Sequence, residues 1–342
     1  MQRPVTGNNP MNELTKELSM GGNLSKDTLS KLLGMDDFFP VYQLADRYNE
    51  RQNHGVVRIR AILEFSNYCR RQCRYCGLNR TNLKLQRYRM DEKEIINTVL
   101  IAYRAGYQTI VLQSGEDPAY DKEMVGRIIR GIKDQCPIAI TLSLGERSRE
   151  EYAYWKECGA DRYLLKHETS DPDIYRSLHP CGTLENRLQC LQWLKELGYE
   201  TGSGFMIGLP GQTNDTIAND ILTLQRLGCD MAGIGPFIAH PDTPLKDHPD
   251  GSTELTKRAV ALSRILMPQL NLPATTALGV LDDGEKDDIF SCGANVIMRK
   301  VTPGIYRRLY EIYPSNLSLD DDIYKGRRDL EDSIRRLGKQ PL

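Results

Sequence analysis

The chain lacks any apolar run approaching the roughly 20 residues of a membrane-spanning helix, although 40% of its 342 residues are hydrophobic. It also lacks a charge excess, with 45 basic against 46 acidic side chains. A balanced chain gives no electrostatic case for nucleic acid or an anionic membrane as the main partner. The polar start, MQRPVTGNNPMNELTKEL, contains no signal-peptide apolar core. No HExxH, nucleophile elbow, Walker loop or GxGxxG occurs, so protease, hydrolase and dinucleotide-binding readings have no motif behind them. The nine cysteines are odd in number and unevenly spaced. That suits a reducing compartment and predicts a cytoplasmic protein. Cys136, Cys158, Cys181, Cys190, Cys229 and Cys292 are scattered, and most of them read as small buried hydrophobes.

The other three are crowded. Cys69, Cys73 and Cys76 form a CxxxCxxC run in EFSNYCRRQCRYCGLNR, directly after the strand-like stretch Val57 to Phe65. Closed zinc sites use four ligands, usually as two separated pairs. Iron–sulfur clusters are normally held by four thiolates. A 4Fe–4S cluster on three cysteines keeps one iron open, where a substrate or cofactor can bind. This spacing is the signature of radical S-adenosylmethionine (SAM) enzymes, in which the amino and carboxylate groups of SAM chelate that iron. A structural zinc loop, or three unrelated thiols, is the competing reading, weakened by the missing fourth ligand.

The rest of the chain predicts an α/β fold. Residues 11–53 read as short helices. Eight strand candidates follow, at 57–65, 109–113, 138–144, 162–167, 201–207, 231–238, 273–278 and 294–298. Asp91 with Glu94, Ser148 with Glu151, and Thr183 mark helix starts between them. Gly106, Gly159, Gly198 and Gly228 mark helix ends. Strand–helix alternation with short links means a parallel sheet, and eight units over about 250 residues predict a closed (β/α)₈ TIM barrel. The fifth strand, interrupted by glycines, and the eighth are the weak ones, so an open six-stranded form is the alternative. The expected organisation is an N-terminal helical segment at 1–56 closing the barrel bottom, the barrel at 57–314, and a short C-terminal extension at 315–342.

Active sites of such barrels sit at the C-terminal strand ends, and the unusual residues fall there. Ser114-Gly115-Glu116-Asp117 ends strand two. A glycine followed by carboxylates lets backbone approach a ligand and offers acceptors to an ammonium group. Ser143 and Glu146 end strand three. Glu168 ends strand four and can accept from the ribose or ammonium of SAM. Arg187, on the helix after strand four, can grip the SAM carboxylate as a fork. Tyr75, between the second and third cysteines, resembles the aromatic of radical-SAM loops that covers the cluster near the adenine, with simple packing as the competing reading. For Glu168 and Arg187 an ordinary rim ion pair is the competing reading. His167 and His240 read as structural rather than metal ligands.

From Val57 to Pro314 the sequence resembles the HydE family, the radical-SAM maturases of FeFe hydrogenase. The resemblance rests on RAILEFSNYCRRQCRYCGLNR, RYRM, TIVLQSGEDP, TLSLGE, GADRYLLKHET, GLPGQT, GIGPFIAHPDTPL, PATTALG and CGANVIM. It implies a radical-SAM TIM barrel with a 4Fe–4S cluster and SAM as cofactors. It also implies reductive SAM cleavage to a 5′-deoxyadenosyl radical, acting on a small iron complex of cysteine, CO and cyanide. The maturases HydG and HydF, and an electron donor, would be its partners. The implied substrate residues are Gln113, Thr141, Arg162, Met231, Thr275, Thr276, Tyr310 and Tyr313. Lys166 stands where some relatives carry arginine, keeping the charge without the bidentate fork. Some relatives bind a second cluster through three C-terminal cysteines. This chain has no cysteine after Cys292, which predicts one cluster. An amino-acid mutase of the methylornithine synthase kind and a non-catalytic iron–sulfur carrier are the rival functions.

Overall fold

Apolar strands alternating with capped helices wind into a parallel barrel. The computed structural model describes residues 24–281, 288–314 and 322–342. The barrel strands are β1 (Val56–Ser66), β2 (Thr109–Ser114), β3 (Ala139–Ser143), β4 (Arg162–Leu164), β5 (Glu200–Ile207), β6 (Met231–Pro236), β7 (Pro273–Ala274) and β8 (Val296–Lys300). They pair in the order β6-β5-β4-β3-β2-β1-β8-β7. The remaining gap, between β6 and β7, is drawn together at the bottom by one parallel bridge from Met231 to Asn271. The Asn271 amide donates to the Asp230 carbonyl, and the Ala232 amide to the Asn271 carbonyl. The barrel is thus nearly closed, and the open six-stranded alternative falls away. Its short strands are β4 and β7, whereas β5 runs eight residues without a break.

Helices surround the strands: α1 (Lys26–Leu33), α2 (Phe39–Asn53), α3 (Glu92–Arg104), α4 (Lys122–Lys133), α5 (Arg149–Glu157), α6 (Pro172–Leu178), α7 (Leu184–Glu196), α8 (Asn214–Arg226), α9 (Thr253–Leu266), α10 (Thr276–Leu281), α11 (Gly304–Arg307) and α12 (Ile323–Arg336). Asp91 with Glu94 and Ser148 with Glu151 form reciprocal capping boxes on α3 and α5. Thr183 caps α7 through the Asn186 amide. Losing such a cap costs about 1 kcal/mol. No helix among the described residues is long and apolar enough to cross a membrane.

The expectation that the N-terminal helices close the barrel bottom is met by the C-terminal part of α2, where Asn49 Nδ2 donates to the Ala294 carbonyl. Asn53 there accepts from Asn295 Nδ2 and Arg58 Nη1. α1 and the start of α2 join the outer ring, and residues 1–23 lie outside the described residues. Leu29, Leu32 and Leu33 of α1 are buried, and Ser30 donates to Asp215 at the start of α8. Tyr42 of α2 reaches Glu254 at the start of α9. At the other terminus α12 packs beside α3, and a short ninth strand, β9 (Gln340–Pro341), pairs with the start of β1.

The apolar core fills the layer between strands and helices. Inside the barrel the usual filled layers give way to a chamber. Alternation along β1 turns Arg60, Ile62 and Glu64 to the axis, while Ile59, Ala61 and Leu63 pack outward.

Candidate functional site

The three cysteines lie on the long loop between β1 and α3, and one side chain staples that loop. Arg87 donates to the carbonyls of Asn67, Leu78, Asn79 and Asn82. Neighbouring segments hold it from outside, the Arg74 amide on the Leu178 carbonyl and the Gly77 amide on the Ile312 carbonyl. Gly115 presses against its start. A Cβ there would lie 2.2 Å from the Tyr68 carbonyl oxygen and 2.8 Å from Cys69 Cβ, so only glycine lets the β2 rim meet the cysteine loop.

Burial pushes the Cys73 thiol up to about 12 and the Cys76 thiol well above its ordinary value. Each of the three is raised further by a neighbouring negative charge, Cys76 by Cys73 and Cys69. Three mutually repelling sulfurs with poor solvation need an external positive charge to ionise together. An iron–sulfur cluster supplies that charge. Among the described residues no three His, Cys, Asp or Glu side chains converge as one metal ion would require. The cysteines thus suit a cluster, with one thiolate per iron, better than a single zinc ion.

A buried chain of carboxylates and guanidiniums backs the loop. Glu116 accepts from Arg70 Nε at 3.0 Å, Arg71 Nε at 2.6 Å and the Glu146 amide at 2.8 Å. Glu146 accepts from Arg71 Nη2 at 2.8 Å, Asn186 Nδ2 at 2.6 Å and Arg187 Nε at 2.6 Å. Arg187 also donates from Nη1 to the Lys166 carbonyl. Burial opposes the charge on Glu146, but Arg187 and Arg71 outweigh it and hold the carboxyl below its ordinary range. Two expectations change here. Glu116 is occupied by two arginines, not held open for an ammonium group. Arg187 has committed Nε to Glu146 and Nη1 to the Lys166 carbonyl, so neither is open to a SAM carboxylate.

Glu168 follows β4, which ends at Leu164, and lines the axial chamber. It adopts a left-handed φ of 66°, between two ladder bonds: its amide donates to the Gly204 carbonyl, and its carbonyl accepts from the Met206 amide. Burial disfavours its charge, yet Lys166 at 3.0 Å holds the carboxyl below its ordinary range. Tyr75 turns from the cysteine loop toward His179, with its hydroxyl 3.0 Å from Nε2. Ser114 spends its hydroxyl on the Gly115 carbonyl. Ser143 ends β3 beside Gln113 and is half-buried.

Below these residues lies a chamber of about 250 Å³ along the barrel axis. Tyr75, Glu168 and Phe237 stand at its upper end, and Arg60 and Asn271 at its floor. Of the expected substrate residues, Gln113, Thr141, Met231, Thr275 and Thr276 line it, as do Tyr310 and Tyr313. Gln113 Nε2 donates to the Tyr310 hydroxyl at 3.1 Å. The Thr141 and Thr275 hydroxyls are buried without a protein partner.

Arg162 is the exception. It lies one layer below the chamber, its guanidinium held by Glu200 at 2.6 Å and Thr109 Oγ1 at 3.1 Å. Arg60 takes the place expected for it. It is 6% exposed, donates to Met231 Sδ at 3.0 Å, and has no carboxylate within ion-pair distance among the described residues. Burial, then Arg162, lower it to about 10, which leaves it charged at neutral pH. Lys300 lines the wall and pairs with Glu64 at 2.9 Å. The sequence reading omits Arg60, Glu64, Lys300 and His179. For the first two a signal exists, since charged residues at even positions of an apolar strand point the same way.

Comparison with known proteins agrees with this geometry. The family model described as the Radical SAM superfamily matches residues 63–224. The chain is 52% identical to the FeFe hydrogenase maturase subunit HydE of Thermotoga maritima over 81% of its own length and 79% of the relative's. It is 26% identical to the 3-methylornithine synthase of Methanosarcina acetivorans over 93% and 89% of the two chains. Among solved structures, a methylornithine synthase superposes with a TM-score of 0.83 at 22% identity, covering 96% and 97% of the chains. That last likeness shows the fold. The identity to HydE, on top of the cysteine loop and the nearly closed barrel, shows the family: the chain is a radical-SAM enzyme and belongs to the HydE family of FeFe hydrogenase maturases.

Proposed function

We propose that this enzyme acts on a small anionic iron complex carrying cysteine, CO and cyanide, supplied by HydG, and that its product passes toward HydF. The observation that carries this reading is the axial chamber, whose floor holds a buried guanidinium, Arg60, with no carboxylate within ion-pair distance among the described residues. An uncompensated buried cation calls for an anion.

In this reading Cys69, Cys73 and Cys76 hold one 4Fe–4S cluster. With SAM bound, the cluster supplies reductive cleavage of SAM to methionine and a 5′-deoxyadenosyl radical. The protein's own side chains position and shield. Tyr75 stands between cysteine loop and chamber. Glu168, Ser143 and the Ser114–Gly115 backbone form the polar wall that meets SAM. Glu116 and Arg187 act through the buried charge chain, fixing the loop's position. Gln113, Thr141, Met231, Thr275, Thr276, Tyr310 and Tyr313 surround the substrate, and Lys166 and Lys300 balance the chamber carboxylates Glu168 and Glu64, which leaves Arg60 as the net positive charge. Excluding water protects the reactive species. Residues 57–314 form the catalytic barrel, with 1–56 and 315–342 as flanks, and an oxygen-sensitive cluster fits the cytoplasm.

The test is anaerobic. The protein is reconstituted with iron and sulfide, reduced with dithionite in the presence of SAM, and assayed for 5′-deoxyadenosine. Formation by the wild type and none by Cys69→Ala is expected. Bound iron with untouched SAM would instead mark a carrier.

A further inference from the structure

Between Phe65 and Met90 there are seven cations, Arg70, Arg71, Arg74, Arg80, Lys84, Arg87 and Arg89, and no carboxylate. In a chain of net charge −1 this is a local excess, and it lies on the loop that carries the three cysteines. Four of the seven are engaged elsewhere. Arg71 turns inward to Glu116 and Glu146, Lys84 pairs with Asp242, Arg89 pairs with Asp117, and Arg87 is spent on loop carbonyls. Arg74 and Arg80 are exposed, with no carboxylate within ion-pair distance among the described residues. The Arg70 side chain, paired to Glu116, still exposes half its surface. On the same loop Leu83 is 93% exposed, an apolar side chain that the chain itself leaves uncovered. The face is rigid, because Arg87 staples the loop and the Arg80 amide is bound to the Arg71 carbonyl.

We infer that this face docks an acidic one-electron carrier protein. The inference rests on the radical-SAM reading, which consumes one electron for each SAM cleaved. The carrier is oxidised by one electron, and the site held by the three cysteines is reduced by one. The electron is then used as the sulfonium S–C5′ bond breaks to methionine and the 5′-deoxyadenosyl radical. A carrier whose redox centre is rimmed by Asp and Glu matches exposed guanidiniums in sign. Complementary potential speeds encounter and orients the partner. Leu83 provides the apolar centre that a charged rim needs for contact. Docking here places the carrier directly over the cysteine loop.

The test measures binding as well as rate. Oxidised flavodoxin, an acidic carrier, is titrated into the reconstituted enzyme by calorimetry. Cleavage of SAM is followed in parallel with reduced flavodoxin and with dithionite, which is small enough to need no docking surface. The double variant Arg74→Glu/Arg80→Glu should raise the Kd at least about tenfold and lower the flavodoxin-driven rate similarly. Dithionite-driven cleavage should not change. Wild-type binding should weaken as salt is raised. Equal affinity in variant and wild type, salt-insensitive binding, or no binding at all overturns the inference. If the double variant does not fold, Leu83→Asp replaces it with the same expected loss. Absent dithionite-driven cleavage in the wild type would be a failure of the radical-SAM reading, and the binding titration alone would then judge the surface.

Discussion

The phenol of Tyr75 donates to Nε2 of His179 across 3.0 Å, because the other ring nitrogen has only one possible role. His179 Nδ1 faces the Tyr175 carbonyl at 3.1 Å, and a carbonyl can only accept, so Nδ1 carries the proton. Burial, then the Arg187 charge, lower His179 to about 4. Its imidazole is therefore neutral at physiological pH, and Nε2 is free to accept. The cysteine loop and the end of α6 are joined through one defined tautomer.

A pH dependence follows from that shift. Between about pH 4 and 6.5 the unfolded chain binds a proton at His179 that the native chain does not. Native stability therefore falls as the pH drops through this window, by roughly 3 kcal/mol at its full extent. His179→Gln keeps a donor for Tyr175 and an acceptor for Tyr75 but does not titrate. Thermal melts of the cluster-free chain should show a steeper loss of midpoint between pH 6.5 and 4.5 in the wild type than in the variant. Parallel slopes would show that His179 does not carry the effect.

Glu146 is the hub of the charge chain, taking bonds from Arg71, Asn186 and Arg187 while buried. Glu146→Ala leaves the buried Arg187 guanidinium with only the Lys166 carbonyl, while Arg71 keeps Glu116, and breaking such a buried pair costs about 3–5 kcal/mol. Glu146→Gln keeps an acceptor and should cost less. Its native carboxyl is held low, so the contribution is intact above the ordinary carboxylate range and is lost as pH falls below it. Urea unfolding of both variants at pH 7 measures the difference. A loss below about 1 kcal/mol for Glu146→Ala would mean the arginines find other partners.

The barrel was legible because parallel strands buried on both faces read as apolar runs, and because caps such as Asp91 and Ser148 punctuate the helices. What misled was local. Gly202 and Gly204 look like breaks in the fifth strand, yet a Cβ at Gly204 would fall 2.1 Å from the Gly233 carbonyl oxygen. The glycine is what allows β5 to pair with β6. Thr275 and Thr276 read as strand, but β7 ends at Ala274 and α10 begins at Thr276. A short apolar run does not separate strand from helix start. The cysteine loop needs no tertiary information, since its residues are neighbours in sequence. The partner of Arg187 does need it, because Glu146 lies 41 residues away and no spacing rule connects them.

Arg60 stands in the chamber where the sequence reading expected Arg162, and this can be tested. Arg60→Met removes a buried cation without a carboxylate partner and fills its place with apolar volume. The variant should be more stable, by about 1 kcal/mol or more. It should still cleave SAM but lose at least tenfold of its product per 5′-deoxyadenosine formed, about 1.4 kcal/mol of substrate interaction. Arg162→Met should instead destabilise, since it abandons Glu200 and Thr109. Measuring melting midpoint and coupling ratio on both variants separates them. A destabilised Arg60→Met with normal coupling would remove the floor of the chamber from the substrate site.

The cysteines divide by position, and substitution should divide them the same way. Cys69, Cys73 and Cys76 share one stapled loop, whereas Cys136, Cys158, Cys190 and Cys292 are buried, and Cys181 is exposed with its carbonyl accepting from Arg71 Nη1 of that loop. Replacing any of the three loop cysteines by alanine removes one thiolate from a three-thiolate site, and a cluster cannot be held by two. Iron after reconstitution should fall from about four per chain to near zero, and the cluster's absorbance and electron paramagnetic resonance signals should vanish. Cys136→Ser, Cys181→Ser and Cys229→Ser should each retain full iron. Near eight irons per chain in the wild type would reveal a second cluster, and loss of iron on replacing Cys181 would make it a ligand. Zinc retained at one per chain, with no iron uptake, would return the loop to a structural metal site.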